Sequence, residues 1–191
     1  MGLRDTLFGR TKQVAPKLDN LFALPTAALT LQSELDLVTS GQAGLCFKAG
    51  SGETSLTSDE DLQQLLNFDQ TSADVTLSTD DLGFRWLVIH DADISSLVTR
   101  IHGANTTMVE HGLGPRLLCA VFGFVPARAP GEGAVRLVYL LKQGTFYPFA
   151  PTGDDQRNNE LELRVRSFLD GDLPMETDLS RWMALWKLPV G

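Results

Sequence analysis

Cysteine is scarce in this chain of 191 residues, and neither of its two copies has the histidine neighbours that a zinc site needs. Cys46 and Cys119 sit inside the apolar runs LCF and LLCAVF, where a buried thiol behaves as a small hydrophobe. A bridge between them requires adjacent strands, and a reducing cytoplasm disfavours it. Apolar runs are short, and none approaches the ~18 residues that cross a bilayer. The first residues lack the continuous apolar stretch of a secretory signal, so the expectation is a cytoplasmic protein. Positive charge is also short: the net charge of −8 argues against a nucleic-acid partner. Lys48-Ala49-Gly50-Ser51-Gly52 lacks the Lys-Ser or Lys-Thr of a phosphate loop, and no Gly-x-Ser-x-Gly elbow occurs.

What remains is the composition of an ordinary globular domain, 43% apolar and 21% charged. A chain of this length buries roughly 70% of its unfolded surface, so it needs neither metal nor disulfide. The charge is unevenly spread. Residues 1–20 carry Arg4, Arg10, Lys12 and Lys17 against Asp5 and Asp19, a basic tip of +2 that leaves −10 on the rest. Within that tip Leu3, Leu7 and Phe8 share one face of a short amphipathic helix, beside Arg4, Arg10 and Lys12. Such a segment either packs on its own domain or rests weakly on an anionic membrane. Met1-Gly2 with Thr6 also matches the permissive myristoylation pattern, which has force only alongside a eukaryotic-type transferase.

Residues 137–151, LVYLLKQGTFYPFAP, are the most telling stretch. Val138, Leu140 and Leu141 make an apolar strand, Lys142-Gln143-Gly144 turns it, and Phe146, Tyr147 and Phe149 follow. Pro148 and Pro151 remove two backbone donors, so the second half is not an ordinary central strand. Three aromatics in four residues must bury their rings in the chain's own core or against a partner.

Elsewhere the periodicity predicts a helical piece over residues 17–23. Residues 26–38 fit strand parity or a helix; the helix is preferred because Gly41–Gly44 resembles a helix-to-strand turn. A short strand is expected over 45–48, a loop over 49–57, and a helix opened by Ser58 and Asp61 with Leu62, Leu65 and Leu66 inside. Residues 74–78 and 84–90 make a hairpin. Asp93 caps a long helix with Ile94, Leu97, Val98, Ile101 and Met108 on its buried face, ended by Gly112 and Pro115. Residues 117–125 and 134–141 make a second hairpin. Asp154 and Asp155 supply the acidic first turn of a helix that buries Leu161, Val165, Phe168 and Leu169. Leu179, Trp182, Leu185 and Trp186 at helical spacing give a last helix, started near Asp178. The fold class expected is α+β: about five strands, mostly antiparallel, with helices packed on one face and at both termini. Residues 1–24 are read as an N-terminal amphipathic helical segment. Residues 25–191 are read as a single α+β domain ending in a Trp-bearing helix.

His90-Asp91-Ala92-Asp93 is the only cluster resembling a metal or acid–base site. The simpler account makes His90 a strand end and Asp91 or Asp93 a helix cap. His102 and His111, nine residues apart, project from opposite helix faces. No converging catalytic set emerges, so the expectation is a non-enzymatic protein without cofactor or metal; an enzyme using His90 and Asp93 is the alternative. Trp182 and Trp186, beside Arg181 and Lys187, either anchor a terminal helix or, with Phe146, Tyr147 and Phe149, form a partner surface.

The segments MGLRDTLFGRTK, LFALPTAALTL, LLCAVFGF, LVYLLKQGTFYPFAP, NNELELRVRSFL and LPMETDLSRWMALW resemble the PspA-associated protein PspAB family, in matching order over most of the chain. The resemblance implies a cytoplasmic accessory of PspA, the membrane-remodelling coiled-coil protein of the phage-shock envelope-stress response. It carries no catalytic residues across. It implies an adaptor working near the inner membrane face, with an independent peripheral membrane protein as the alternative. The acidic body would complement basic faces of a helical partner.

Overall fold

The computed structural model describes residues 16–49, 74–128, 133–153, 155–186 and 188–190. The expected helices over 1–12 and after Ser58, and the candidate membrane contacts Leu3, Arg4, Leu7, Phe8, Arg10 and Lys12, lie outside the described residues. The fold is α+β, built on a six-stranded antiparallel sheet with helices against one face and in both terminal regions.

A 3-10 turn, Asp19–Ala23, leads into helix α1, Leu24–Leu35. Pro25 sits in its first turn, where a missing N–H costs nothing. Leu24, Ala27 and Leu31 recur on one face and are buried. Leu21 and Leu24 belong to the main core. The helix stops at Asp36, whose φ of 55° is left-handed.

Strand β1, Leu37–Lys48, is far longer than the four residues expected. It runs straight through Gly41–Gly44, correcting the turn read there. Register shifts between Thr39 and Ala43, where Gly41 adopts φ 77°, and its amide donates to Thr39 Oγ1. The glycine serves a bulge that kinks one continuous strand.

Strands β2, Val75–Thr79, and β3, Phe84–His90, form the expected hairpin. Asp80 organises its turn, accepting from the amides of Leu82 and Phe84 and from Trp86 Nε1 at 2.9 Å. Helix α2, Ile94–Glu110, starts where Asp93 accepts from Ser96 N at 2.9 Å. It ends at Gly112, φ 77°, with Leu113 N donating back to Met108 O. Its buried face holds Leu97, Val98, Ile101 and Met108 as expected.

Strands β4, Leu117–Pro126, and β5, Val135–Leu140, form the second hairpin. Strand β6, Thr145–Phe149, is the sixth strand, beyond the five expected. The sheet order is β2-β3-β1-β4-β5-β6, which puts β6 at an edge. There Phe146 N donates to Pro174 O and Phe146 O accepts from Glu176 N. Strand parity turns Pro148 toward this same outer side, so its lost donor breaks no bond to β5. A small hairpin of β7, Pro151–Gly153, and β8, Gln156–Arg157, follows. Asp155 takes φ 52° in its turn, so it does not open the next helix. Helix α3, Asn159–Leu169, is opened instead by Asn158, which accepts from Leu161 N at 3.0 Å. Val165 and Leu169 are buried, but Phe168 is 40% exposed, a correction to the expected face.

The last expected helix is absent. Leu179–Arg181 is a single 3-10 turn, and residues 182–186 and 188–190 contain no helix. This segment lies across the sheet face opposite α1, α2 and α3.

Candidate functional site

Strand alternation divides the sheet's side chains between two cores. Leu45, Leu87, Phe122, Leu137 and Phe146 face the helices. Cys46, Trp86, Val88, Cys119, Val121, Val138, Tyr147 and Phe149 face the other way. Covering them is the chain from Trp182 to Val190, here termed the strap, through Trp182, Leu185, Trp186, Leu188 and Val190.

Side chains of the folded domain hold the strap by its backbone carbonyls. Tyr147 Oη donates to Met183 O at 3.0 Å, Arg157 to Trp182 O at 3.0 Å, and Arg136 Nε to Val190 O at 2.8 Å. A helix would use the same Trp182 and Met183 carbonyls internally, which explains why the helical spacing of the tryptophans does not yield one. The rings then pack on the floor. Trp182 stacks on Tyr147 at 5.9 Å and Trp186 meets Phe149 edge-on at 5.0 Å. Trp182 Nε1 donates to Glu176 O, and the Arg166 guanidinium lies 5.9 Å from the Trp182 ring. Val190 seats over Gly44, where an added Cβ would come within 2.6 Å of Val190 Cγ2. Gly44 therefore has a packing role, not a turn role.

Arg157 ties the strap to the helical layer. It pairs with the buried carboxylate of Glu162 at 2.8 Å, lies 5.2 Å from the Phe149 ring and reaches the strap as above. Glu162 also accepts from Ala150 N. At the strap's entrance burial pushes the Glu176 carboxyl up. The Asp178 amide, the Thr145 hydroxyl and the Arg181 guanidinium outweigh that and hold it below the ordinary carboxylate value. Burial, aided by Cys119 and Glu162 and opposed by Arg157, pushes the Tyr147 phenol far up, and burial pulls the Arg136 guanidinium down.

Phe146, Tyr147 and Phe149 are buried, and Trp182 is 8% exposed. Of the five candidate partner rings four are therefore core, and Phe146 faces the opposite layer, against Tyr139. Trp186 is half-buried at the strap's edge. The exposed apolar groups there are Leu179 at 56%, a member of the periodic set, and Met183 at 61%, which lacked any periodic signal in the sequence. Arg136, Arg157 and Glu162 were also illegible, since their partners lie far away in sequence or on another element.

The Asp93 carboxylate is occupied by Ser96, whose backbone and hydroxyl hydrogen bonds lower its pKa. Asp91 faces Arg100 at 3.8 Å, and His90 Nδ1 is buried with no hydrogen-bond partner among the described residues. His102 packs on Phe22, and His111 Nδ1 lies 2.8 Å from Thr107 O. Among the described residues no three His, Cys, Asp or Glu side chains gather as metal ligands, and no helix is long and apolar enough to cross a membrane. An open cleft of about 580 Å³ lies between residues 16–20 and α2, lined by Lys17, Asn20, His102 and Thr106.

Against known proteins, the family model described as PspA associated protein B matches residues 1–190. No curated protein and no solved structure matches the chain.

Proposed function

Because the chain belongs to the PspA associated protein B family, we propose that it is a non-enzymatic accessory of PspA, acting by protein–protein contact in the phage-shock envelope-stress response. The observation that carries this is a family match extending over the whole fold, both sheet faces included. The contact surface is assigned to the strap edge, where Leu179, Met183 and Trp186 present apolar surface beside Arg181. Tyr147, Phe149 and Trp182 support that edge from below, and Phe146 packs on the other face of the same strand. An aromatic group flanked by a cation is the composition of an interface hot spot. The acidic body, −10 beyond residue 20, steers a helical partner with basic faces during encounter. The protein acts in the cytoplasm, with residues 1–12 giving weak contact to anionic membrane.

The test is light scattering on size-exclusion fractions of the chain with its cognate PspA at tens of micromolar. Co-elution that is lost in Met183→Asp, with the fold retained by circular dichroism, supports the assignment. Separate peaks for the wild-type pair would remove direct PspA binding at that affinity. Deleting residues 1–12 should abolish co-sedimentation with anionic liposomes; unchanged pelleting would leave the membrane contact without a basis.

A further inference from the structure

Cys46 on β1 and Cys119 on β4 are direct cross-strand partners. Both thiols are free and buried. The condition left open by the sequence, that their strands be adjacent, is met with the two residues in register. Opposed residues of antiparallel strands hold their Cα atoms ~4.5–5.5 Å apart. That falls inside the ~4.4–6.8 Å span of disulfides. Both side chains point to the strap face and belong to the cluster closed by Trp182 and Val190.

We propose that Cys46 and Cys119 are a reversible disulfide site, oxidised by a hydroperoxide when the strap lifts from the sheet. The sulfur of Cys119, the more exposed at 7% against 3%, attacks a peroxide oxygen. The O–O bond breaks, an alcohol (or water, from hydrogen peroxide) leaves, and Cys119 becomes a sulfenic acid. The Cys46 sulfur then displaces water from it, forming the S–S bond and losing its proton. In sum two thiols give up two protons and two electrons, and the hydroperoxide is reduced to alcohol and water. The neighbouring Cys119 thiol and burial hold the Cys46 thiol protonated, so Cys46 is the poorer first attacker and gives up its proton only as it displaces water from the sulfenic acid.

Three features make the bond reversible and gated. Opposed Cβ atoms stand ~4.5–5.5 Å apart, whereas a relaxed disulfide wants ~3.8 Å, so the bond forms under strain and is readily reduced. The register shift between Cys46 and Phe47 leaves Leu118 as an extra residue beside Cys119, a bulge where the strand can adjust. Val190 seats on Gly44, two residues from Cys46 on the same face, so oxidant reaches the pair only after the strap moves.

The full chain, reduced and freed of reductant, is treated with hydrogen peroxide and followed by intact mass and by thiol count after denaturation. The expected product is 2 Da lighter, monomeric, without free thiol, and restored by dithiothreitol. Trp182→Ala, which loosens the strap, should speed oxidation about tenfold or more, because reaction follows the open population. Should that variant not fold, urea below the unfolding transition loosens the strap in the wild type and takes its place. Cys46→Ser should instead trap a dimedone-reactive sulfenic acid at Cys119. The proposal is overturned if the wild type gains oxygen at each cysteine without the lighter species. It is equally overturned if both thiols survive after the strap is loosened.

Discussion

The two faces of the sheet are covered by different kinds of chain. On one lie α1, α2 and α3, whose backbone groups are satisfied within each helix and whose contribution is an apolar stripe. On the other lies a strap whose carbonyls at Trp182, Met183 and Val190 depend on Arg157, Tyr147 and Arg136. The helical cover is local in sequence and cooperative. The strap holds only while distant side chains hold it. The strap face should therefore open at lower free energy than the helix face, while the sheet between them stays intact.

The largest effect should come from the helix face. Phe122→Ala, at a fully buried position between β4 and the helices, should cost about 3–5 kcal/mol of global stability in urea unfolding. Trp182→Ala removes a larger ring but should cost less, about 2–3 kcal/mol, because the strap can leave without unfolding the sheet. Hydrogen exchange sharpens this: Trp182→Ala should lose protection over residues 182–190 and keep it in α2. Equal loss on both faces would dissolve the distinction.

Helix α2 was legible because its signals are all local. Asp93 precedes an apolar stripe at helical spacing, and Gly112 follows it. The strap imitates such a signal, since Leu179, Trp182, Leu185 and Trp186 have helical spacing too. What decides between them is the set of side chains waiting at Arg136, Tyr147 and Arg157, which sequence spacing does not reveal. The same holds at Gly44: a glycine three residues after another reads as a turn, and only the seat of Val190 explains it. Strand β6 was half legible. Pro148 ruled out a central strand, and its partner at the sheet edge, the chain at Pro174 to Glu176, comes from beyond α3.

Smaller effects probe the caps on each side. Asp93→Ala should lower the urea midpoint slightly, as loss of an N-cap does, and leave the strap untouched. At the strap's entrance Glu176 gives a pH signature. Its folded pKa lies below the ordinary 4.5, so its contribution is fully present above that value and is lost as pH falls through the folded value. Glu176→Gln should flatten the acid limb of the stability curve, measured by urea midpoints at stepped pH. An unchanged limb would show that the carboxylate does not hold the strap.

The strap is also synthesised after the sheet it covers. Strand β6 ends at Phe149, and Val190 is made 41 residues later. At ~5–20 residues per second that interval is roughly 2–8 s. During it the sheet exposes Trp86, Tyr147 and Phe149 to the crowded space outside the ribosome. The nascent chain thus carries a bare aromatic wall for seconds, and ribosome stalling within residues 150–180 should make it a preferred client of chaperones that bind apolar surface.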